Sequence, residues 1–441
     1  MAPESTLDPY AEHIKTLQER LEAALAESTL EGLIIASGGE HRAFLDDRAY
    51  PFIVNPHFNH WVPVRHVPDS FILVRPSCVP VLYFHQPQDY WYMPASVPQG
   101  EWTSHWDVRV IQNVTEVRDQ IDPSTLGFVG EDVALAEKWK CRQINPESVL
   151  HHLHFLRAYK TRYEAEALQQ SARTAVRGHL RAKETFFEGG SEFAIQNAYL
   201  AATAHREQET PYTSIVAMNE HASVLHYQHY DHEVPIDSVS MLIDAGATNA
   251  GYAADITRTY ARTSGSFADL VNAMDEHQQA LINRIPDFSN YTDLHLAMQL
   301  RVSQLLVDSG LSTMSPESQV ETGTSFHFMP HGLGHLVGLQ THDVGGLQLD
   351  IGGTLKQPPE QHPALRLTRN IEDDMVFTIE PGLYFIPMLL QQLQASEHSN
   401  AFNWPLINEL IPYGGIRIED NILMKGGQPQ NLTRQAFAEV D

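Results

Sequence analysis

Ile14, Leu17, Leu21 and Leu25 recur at helical spacing, which predicts an amphipathic helix at the start of the chain. The run from Leu30 to Ser37 (LEGLIIAS) predicts a strand, and short strands are expected at Phe71–Arg75, Val81–Phe84 and Val108–Ile111. Helix, strand and turn alternate here, as in an α/β domain. Between Asp46 and Pro68 the chain is rich in Pro, aromatics and His and reads as an ordered irregular segment. From about Glu147 to Phe187 the pattern is long and helical, and a domain boundary is expected near residue 160, dividing 1–160 from 161–441. Helices are expected at about 191–206, 267–284 and 291–308, and strands at Met241–Gly246, Ala250–Tyr260, Met375–Tyr384 and Gly415–Met424. The fold class is α/β (α+β), with a helix-rich second domain.

Composition narrows the function. The 441 residues allow two or three domains, and 42% hydrophobic with 19% charged residues excludes a disordered chain. A net charge of −26 offers no footprint for nucleic acid or an anionic membrane. No apolar run approaches about 18 residues, so no transmembrane helix is expected. The first residues also lack the apolar core of a signal peptide. Two cysteines, Cys78 and Cys141, fit a reducing compartment and are expected as buried thiols without a role. The expectation is a soluble cytoplasmic protein. Its 24 histidines raise the question of metal binding.

Candidate chemistry lies in four segments. Met241–Tyr260 (MLIDAGATNAGYAADITRTY) has turn character at its centre, and a hairpin centred between Asn249 and Ala250 would set Asp244 opposite Asp255. The two acids then either share a cation or are surface groups flanking a turn. His331, His335 and His342 share a glycine-rich stretch (HGLGHLVGLQTHDVGG) suited to aiming imidazoles from irregular backbone. Glu380 ends an apolar strand before Pro-Gly, and Glu419 follows Arg417 by two residues, as a metal ligand, as an ion pair with Arg417, or as both. Asp244, Asp255, Glu380 and Glu419 carry four negative charges, which two divalent cations balance. Oxygen ligands with the imidazole of His335 suit Mn²⁺, Co²⁺ or Zn²⁺, and two such ions can acidify a water. Neither a G-x-S-x-G motif nor a convincing Cys–His setting competes.

The ordered set D-A-G, D-x-T-R, H-G-x-G-H, H-D, T-I-E-P-G and G-x-R-I-E-D resembles the pita-bread metallopeptidases. Phe44–Asp47, Tyr50–Phe52, Val54–Pro56 and Trp61–Val64 look like the bacterial Xaa-Pro dipeptidase branch, which also contains organophosphorus acid anhydrolase. The resemblance implies a creatinase-type, RNase H-like N-terminal domain before a pita-bread catalytic domain. It implies Asp244, Asp255, His335, Glu380 and Glu419 as ligands of two divalent ions, Mn²⁺ foremost, with Asp255 and Glu419 bridging. It further implies dipeptide hydrolysis by a bridging hydroxide whose proton Glu380 handles. His342 and His226 would hydrogen-bond the carbonyl oxygen, and His331 would support the pocket wall. Arg366 would grip the substrate carboxylate, Arg417 would orient Glu419, and Tyr212 and Leu225 would line the substrate site. Asp47, from a partner subunit of a homodimer, would meet the substrate amine. Thr341 stands where this branch often has Val and makes that pocket corner more polar. Phosphotriester hydrolysis is the alternative activity, and a binding module that has lost catalysis is the remaining one.

Overall fold

The computed structural model describes residues 8–440 and divides the chain into two compact units. The first holds the described residues up to Ala167 together with Asp350–Thr354, and the second holds Leu168–Leu349 and Leu355 onward.

The first unit is built on β1 (Gly32–Ala36), β2 (Phe71–Val74), β3 (Val81–His85), β4 (Asp107–Ile111), β5 (Leu126–Val129) and β6 (Gln143–Ile144). They form one mixed sheet in the order β4-β3-β2-β1-β5-β6. β1 is buried throughout, pairing antiparallel with β2 and parallel with β5. Period-2 alternation sends its side chains to two cores. Leu33 and Ile35 join the helix Pro9–Leu25 on one face, through Ile14, Leu17, Leu21 and Leu25. Ile34 and Ala36 join Phe71, Phe128 and Trp139 on the other.

The expected long helix is two helices, Glu147–Arg157 and Arg162–Phe187. The break has a local cause. Glu164 Oε2 accepts from the Thr161 amide at 2.9 Å, and Thr161 Oγ1 accepts from the Glu164 amide at 3.4 Å. This is a capping box, and it starts a new helix. Cys78 is exposed in the turn after β2 and Cys141 is half-buried, so neither is the fully buried thiol expected.

The second unit contains β7 (Ile215–Met218), β8 (Ser240–Asp244), β9 (Thr248–Asn249), β10 (Tyr252–Ala253), β11 (Thr257–Ala261), β12 (Val376–Ile379), β13 (Gly382–Tyr384), β14 (Gly415–Arg417), β15 (Asp420–Lys425) and β16 (Gln428–Asn431). They pair as β11-β8-β7, β9-β10, β12-β15-β16 and β13-β14. Single bridges at Thr257–Glu419 and Leu336–Phe377 tie the pieces together. The helices Glu192–Thr203, Ser266–Ile282 and Tyr291–Asp308 fall close to the expected positions. Among the described residues no helix is long and apolar enough to cross a membrane.

Candidate metal centre

Asp244 is the last residue of β8, and the chain then runs through β9 into the turn Ala250–Gly251. Both turn residues have positive φ, 51° and 93°. That is the signature of a two-residue hairpin whose twist matches its strands. The hairpin therefore centres one residue later than expected. Thr257, not Asp255, stands opposite Asp244. Asp255 is the diagonal neighbour on the same face, and the hydroxyl of Tyr212 closes the gap, 2.8 Å from Asp244 Oδ1 and 2.6 Å from Asp255 Oδ1.

Three of the expected strands are interrupted, each at or beside a carboxylate. Asp255 lies between β10 and β11, Glu380 between β12 and β13, and Glu419 between β14 and β15. The regular ladder stops at each of these carboxylates. His335 comes from the irregular segment after Pro330. Its amide donates to Thr378 Oγ1 at 3.2 Å, and its Nδ1 lies 2.9 Å from the Leu336 carbonyl. A carbonyl only accepts, so Nδ1 donates to it and Nε2 faces the carboxylates, which favour a proton there until a cation takes its place.

That Nε2 lies 3.4 Å from Asp255 Oδ2, 3.7 Å from Glu380 Oε1 and 3.9 Å from Glu419 Oε1. Two ligand atoms on one ion, each about 2.1 Å from it, are separated by about 3–4 Å, so the spacing suits a shared cation. Glu419 Oε1 is buried with no hydrogen-bond partner, an oxygen that lacks what a cation would supply. Its Oε2 is held by Thr257 Oγ1 at 2.8 Å.

The electrostatics agree. Burial, and then the neighbouring Asp255 and Glu380, hold the Glu419 carboxyl well above the usual range. Burial pushes Glu380 up to about 7. Asp244 is raised by burial against the opposing pull of Arg417. Burial would raise Asp255 too, but its bond to His335 outweighs it and holds this carboxyl below its ordinary value. Such a group resists full ionisation until cations enter. The residues present therefore fit divalent metal ions.

The five expected ligands line one cavity of about 240 Å³, together with Leu225, His226, His331, His342, Arg366 and Arg417. Tyr212 and Thr341 are not among its lining residues, and Tyr212 instead backs the two aspartates. Asp47 lies in the first unit, exposed, beside Arg48, Phe52 and Tyr92. Arg417 does not pair with Glu419. It donates to Asp244 Oδ2 at 2.8 Å and to the Tyr384 hydroxyl at 2.9 Å. Strand β14 ends at Arg417, so the two side chains do not share a strand face as their spacing implied. His331 Nδ1 lies 2.8 Å from the Gly332 carbonyl and its Nε2 3.0 Å from the Tyr384 hydroxyl.

Supporting residues passed over in the sequence were present in the same motifs. Thr257 and Arg258 of D-x-T-R hold Glu419 and Asp420, Arg258 reaching Asp420 Oδ1 at 2.7 Å. Asn421, just beyond the last acid, clamps the Asp255 backbone at 2.6 and 3.0 Å.

A carboxylate-rich centre with one imidazole, in a unit of short paired strands and long helices, defines a divalent-metal enzyme class. Residues 166–426 match metallopeptidase family M24, and residues 8–155 match the Xaa-Pro dipeptidase N-terminal domain. The chain belongs to metallopeptidase family M24, within its Xaa-Pro dipeptidases. It is 44% identical to Xaa-Pro dipeptidase 2 of Idiomarina loihiensis, over 98% of this chain and 99% of that one. It is 46% identical to the Xaa-Pro dipeptidase of Pseudoalteromonas haloplanktis, over 98% of each. The fold is shared with Escherichia coli aminopeptidase P in complex with the inhibitor Pro-Leu, at TM-score 0.72 and 19% identity over 99% of each chain. It is also shared with proline aminopeptidase P II of Yersinia pestis, at 0.70 and 21% over 97% and 99%. The fold class is thus an N-terminal α/β unit followed by a pita-bread unit, as the motifs implied.

Proposed function

We propose that this protein hydrolyses Xaa-Pro dipeptides in a reaction that depends on two divalent metal ions. The convergence of Asp244, Asp255, His335, Glu380 and Glu419 on one cavity carries the reading. Those five residues would hold the ions, with Mn²⁺ the first choice. When bound, the ions supply Lewis acidity and lower the pKa of the attacking water. Glu380 would take that proton and return it to the leaving imino nitrogen. His226 and His342 donate to the scissile carbonyl oxygen as negative charge develops there. His331 braces the wall, and Arg417 fixes Asp244. Arg366, exposed at the cavity rim, pairs its guanidinium with the free carboxylate of proline.

The enzyme acts as a cytoplasmic homodimer in this reading, with Asp47 of a second copy meeting the substrate amine. The exposed aromatic run beside Asp47 supports an interface: Tyr90 is 88% exposed and Trp91 76%. The test is hydrolysis of a panel of Xaa-Pro dipeptides, Xaa-Ala dipeptides and a phosphotriester by metal-stripped protein reloaded with one metal at a time. The reading expects Xaa-Pro dipeptides to be turned over fastest, and only after reloading. Turnover of the phosphotriester without turnover of any dipeptide would overturn it.

A further inference from the structure

The cavity residues Leu225 and His226 stand on a long segment between β7 and β8 that contains almost no regular structure. Such a segment needs another anchor if it is to hold an imidazole within tenths of an ångström of a reacting oxygen. The anchor is one buried carboxylate. Glu192, at the first turn of the helix Glu192–Thr203, is 1% exposed. Its Oε1 accepts from the Met218 amide at 2.7 Å and lies 2.8 Å from His221 Nδ1. Its Oε2 accepts from the Tyr227 hydroxyl at 2.7 Å and from the Asp231 amide at 2.8 Å.

These four contacts fall before, within and after the stretch that carries Leu225 and His226. Tyr227 is the immediate neighbour of His226, and its ring stacks on His221 with centroids 4.5 Å apart. The N-terminal end of the helix favours the negative charge. Glu192, His221 and Asp231 also cluster closely enough to suggest a second metal site. Both Glu192 oxygens are already occupied by hydrogen bonds, however, so the cluster is a strap and not a ligand set.

We propose that Glu192 is a positioning residue: it sets where His226 and Leu225 stand in the cavity by fastening the segment Met218–Asp231 at four points. The proposal rests on the dipeptidase reading for its catalytic consequence, but not for its structural one. Glu192→Gln replaces one acceptor oxygen with an NH₂ group that faces donors. Tyr227→Phe is the milder variant, removing one of the four contacts and keeping the ring.

The experiment has two arms. In hydrogen exchange, both variants raise exchange in residues 218–231 over the wild type and leave β8 and β11 unchanged. In a double-mutant cycle on an Xaa-Pro dipeptide, Glu192→Gln lowers kcat/KM by about 10²-fold in the wild-type background. In the His226→Ala background it lowers kcat/KM by less than about threefold, because the residue acts through the group already removed. Metal content stays at the wild-type value in all four proteins. Equal fractional losses in the two backgrounds, or unchanged exchange in residues 218–231, overturn the proposal. If Glu192→Gln does not fold, Tyr227→Phe runs the same cycle with a loss of several-fold. A wild-type protein without dipeptidase activity would refute the function, and the exchange arm would still decide whether Glu192 fastens the segment.

Discussion

Glu380 and Arg366 separate what bonds are broken from what substrate is chosen. Glu380→Gln keeps the shape and one metal-facing oxygen but cannot exchange a proton. Turnover should fall by about 10²–10⁴-fold with both metals retained, the usual worth of a general acid–base group. Steady-state kinetics paired with metal analysis checks this, and near-wild-type turnover at full metal content would remove Glu380 from the proton path. His331→Ala should lose much less, since His331 braces Tyr384 and Gly332 and does not handle the proton. Arg366→Ala bears on choice of substrate. Leaving the substrate carboxylate without its guanidinium costs about 1–3 kcal/mol, one to two decades in kcat/KM. The loss should appear on a dipeptide and vanish on its C-terminal amide, which never engaged the charge. A uniform loss on both would make Arg366 structural. Glu380 was readable because a Glu inside an apolar run has few explanations, whereas Arg366 rested on the family resemblance. The partner of Arg417 was not: Asp244 lies 173 residues away, and Glu419, two residues away, was the nearer guess.

At the scale of elements, the site depends on strands that stop at the right residue. The expected strands at Ala250–Tyr260, Met375–Tyr384 and Gly415–Met424 are each two strands, and Asp255, Glu380 or Glu419 stands in each break. Apolar residues continue through the breaks beside Asp255 and Glu419, so hydrophobic pattern carried no sign of those two, whereas Pro381 marks the third. The hairpin centre was also hidden. Ala250-Gly251 and Asn249-Ala250 are adjacent candidates, and only the positive φ of Ala250 and Gly251 selects the first. Gly246 shows how close these pieces run. A Cβ there would lie 2.2 Å from the Ala254 carbonyl oxygen and 2.8 Å from the Tyr212 ring. Gly246→Ala must therefore push the hairpin away from Tyr212 and separate Asp244 from Asp255. We expect destabilisation of about 1–3 kcal/mol, as for other overpacked sites, and metal affinity weakened by about tenfold or more. Calorimetric metal titration and denaturant unfolding measure the two effects. Unchanged metal affinity would show that the hairpin does not set the spacing of the aspartates.

Across the whole molecule, metal loading and stability are linked through the carboxylates. Burial raises Glu380 from 4.5 to about 7 in the metal-free state. A carboxyl raised in the folded state stabilises fully below its unfolded pKa, and that contribution is lost as pH climbs through the folded value. The metal-free protein should thus lose stability between about pH 4.5 and 7 at this site, whereas the metal-loaded protein should not. The Tm gap between loaded and chelator-stripped protein should widen from about pH 5.5 to pH 7.5, and metal at about 1,000 times its Kd should add about 4 kcal/mol. Loading at about pH 6 should release protons into a weakly buffered solution. A gap independent of pH with no proton release would contradict the raised carboxyls. The sequence by itself determined the α/β class, the helix that opens the first unit and the residues able to hold a metal, because periodicity and side-chain chemistry are local properties. Tertiary structure alone decided the hairpin register, the convergence of Asp255, Glu380 and Glu419 on one cavity, the Arg417–Asp244 pair and the strap at Glu192. The register turns on the backbone conformation of two adjacent residues, and the others depend on groups distant in the chain, as with Thr257 and Glu419 at 162 residues, whose contact exists only once the chain has folded.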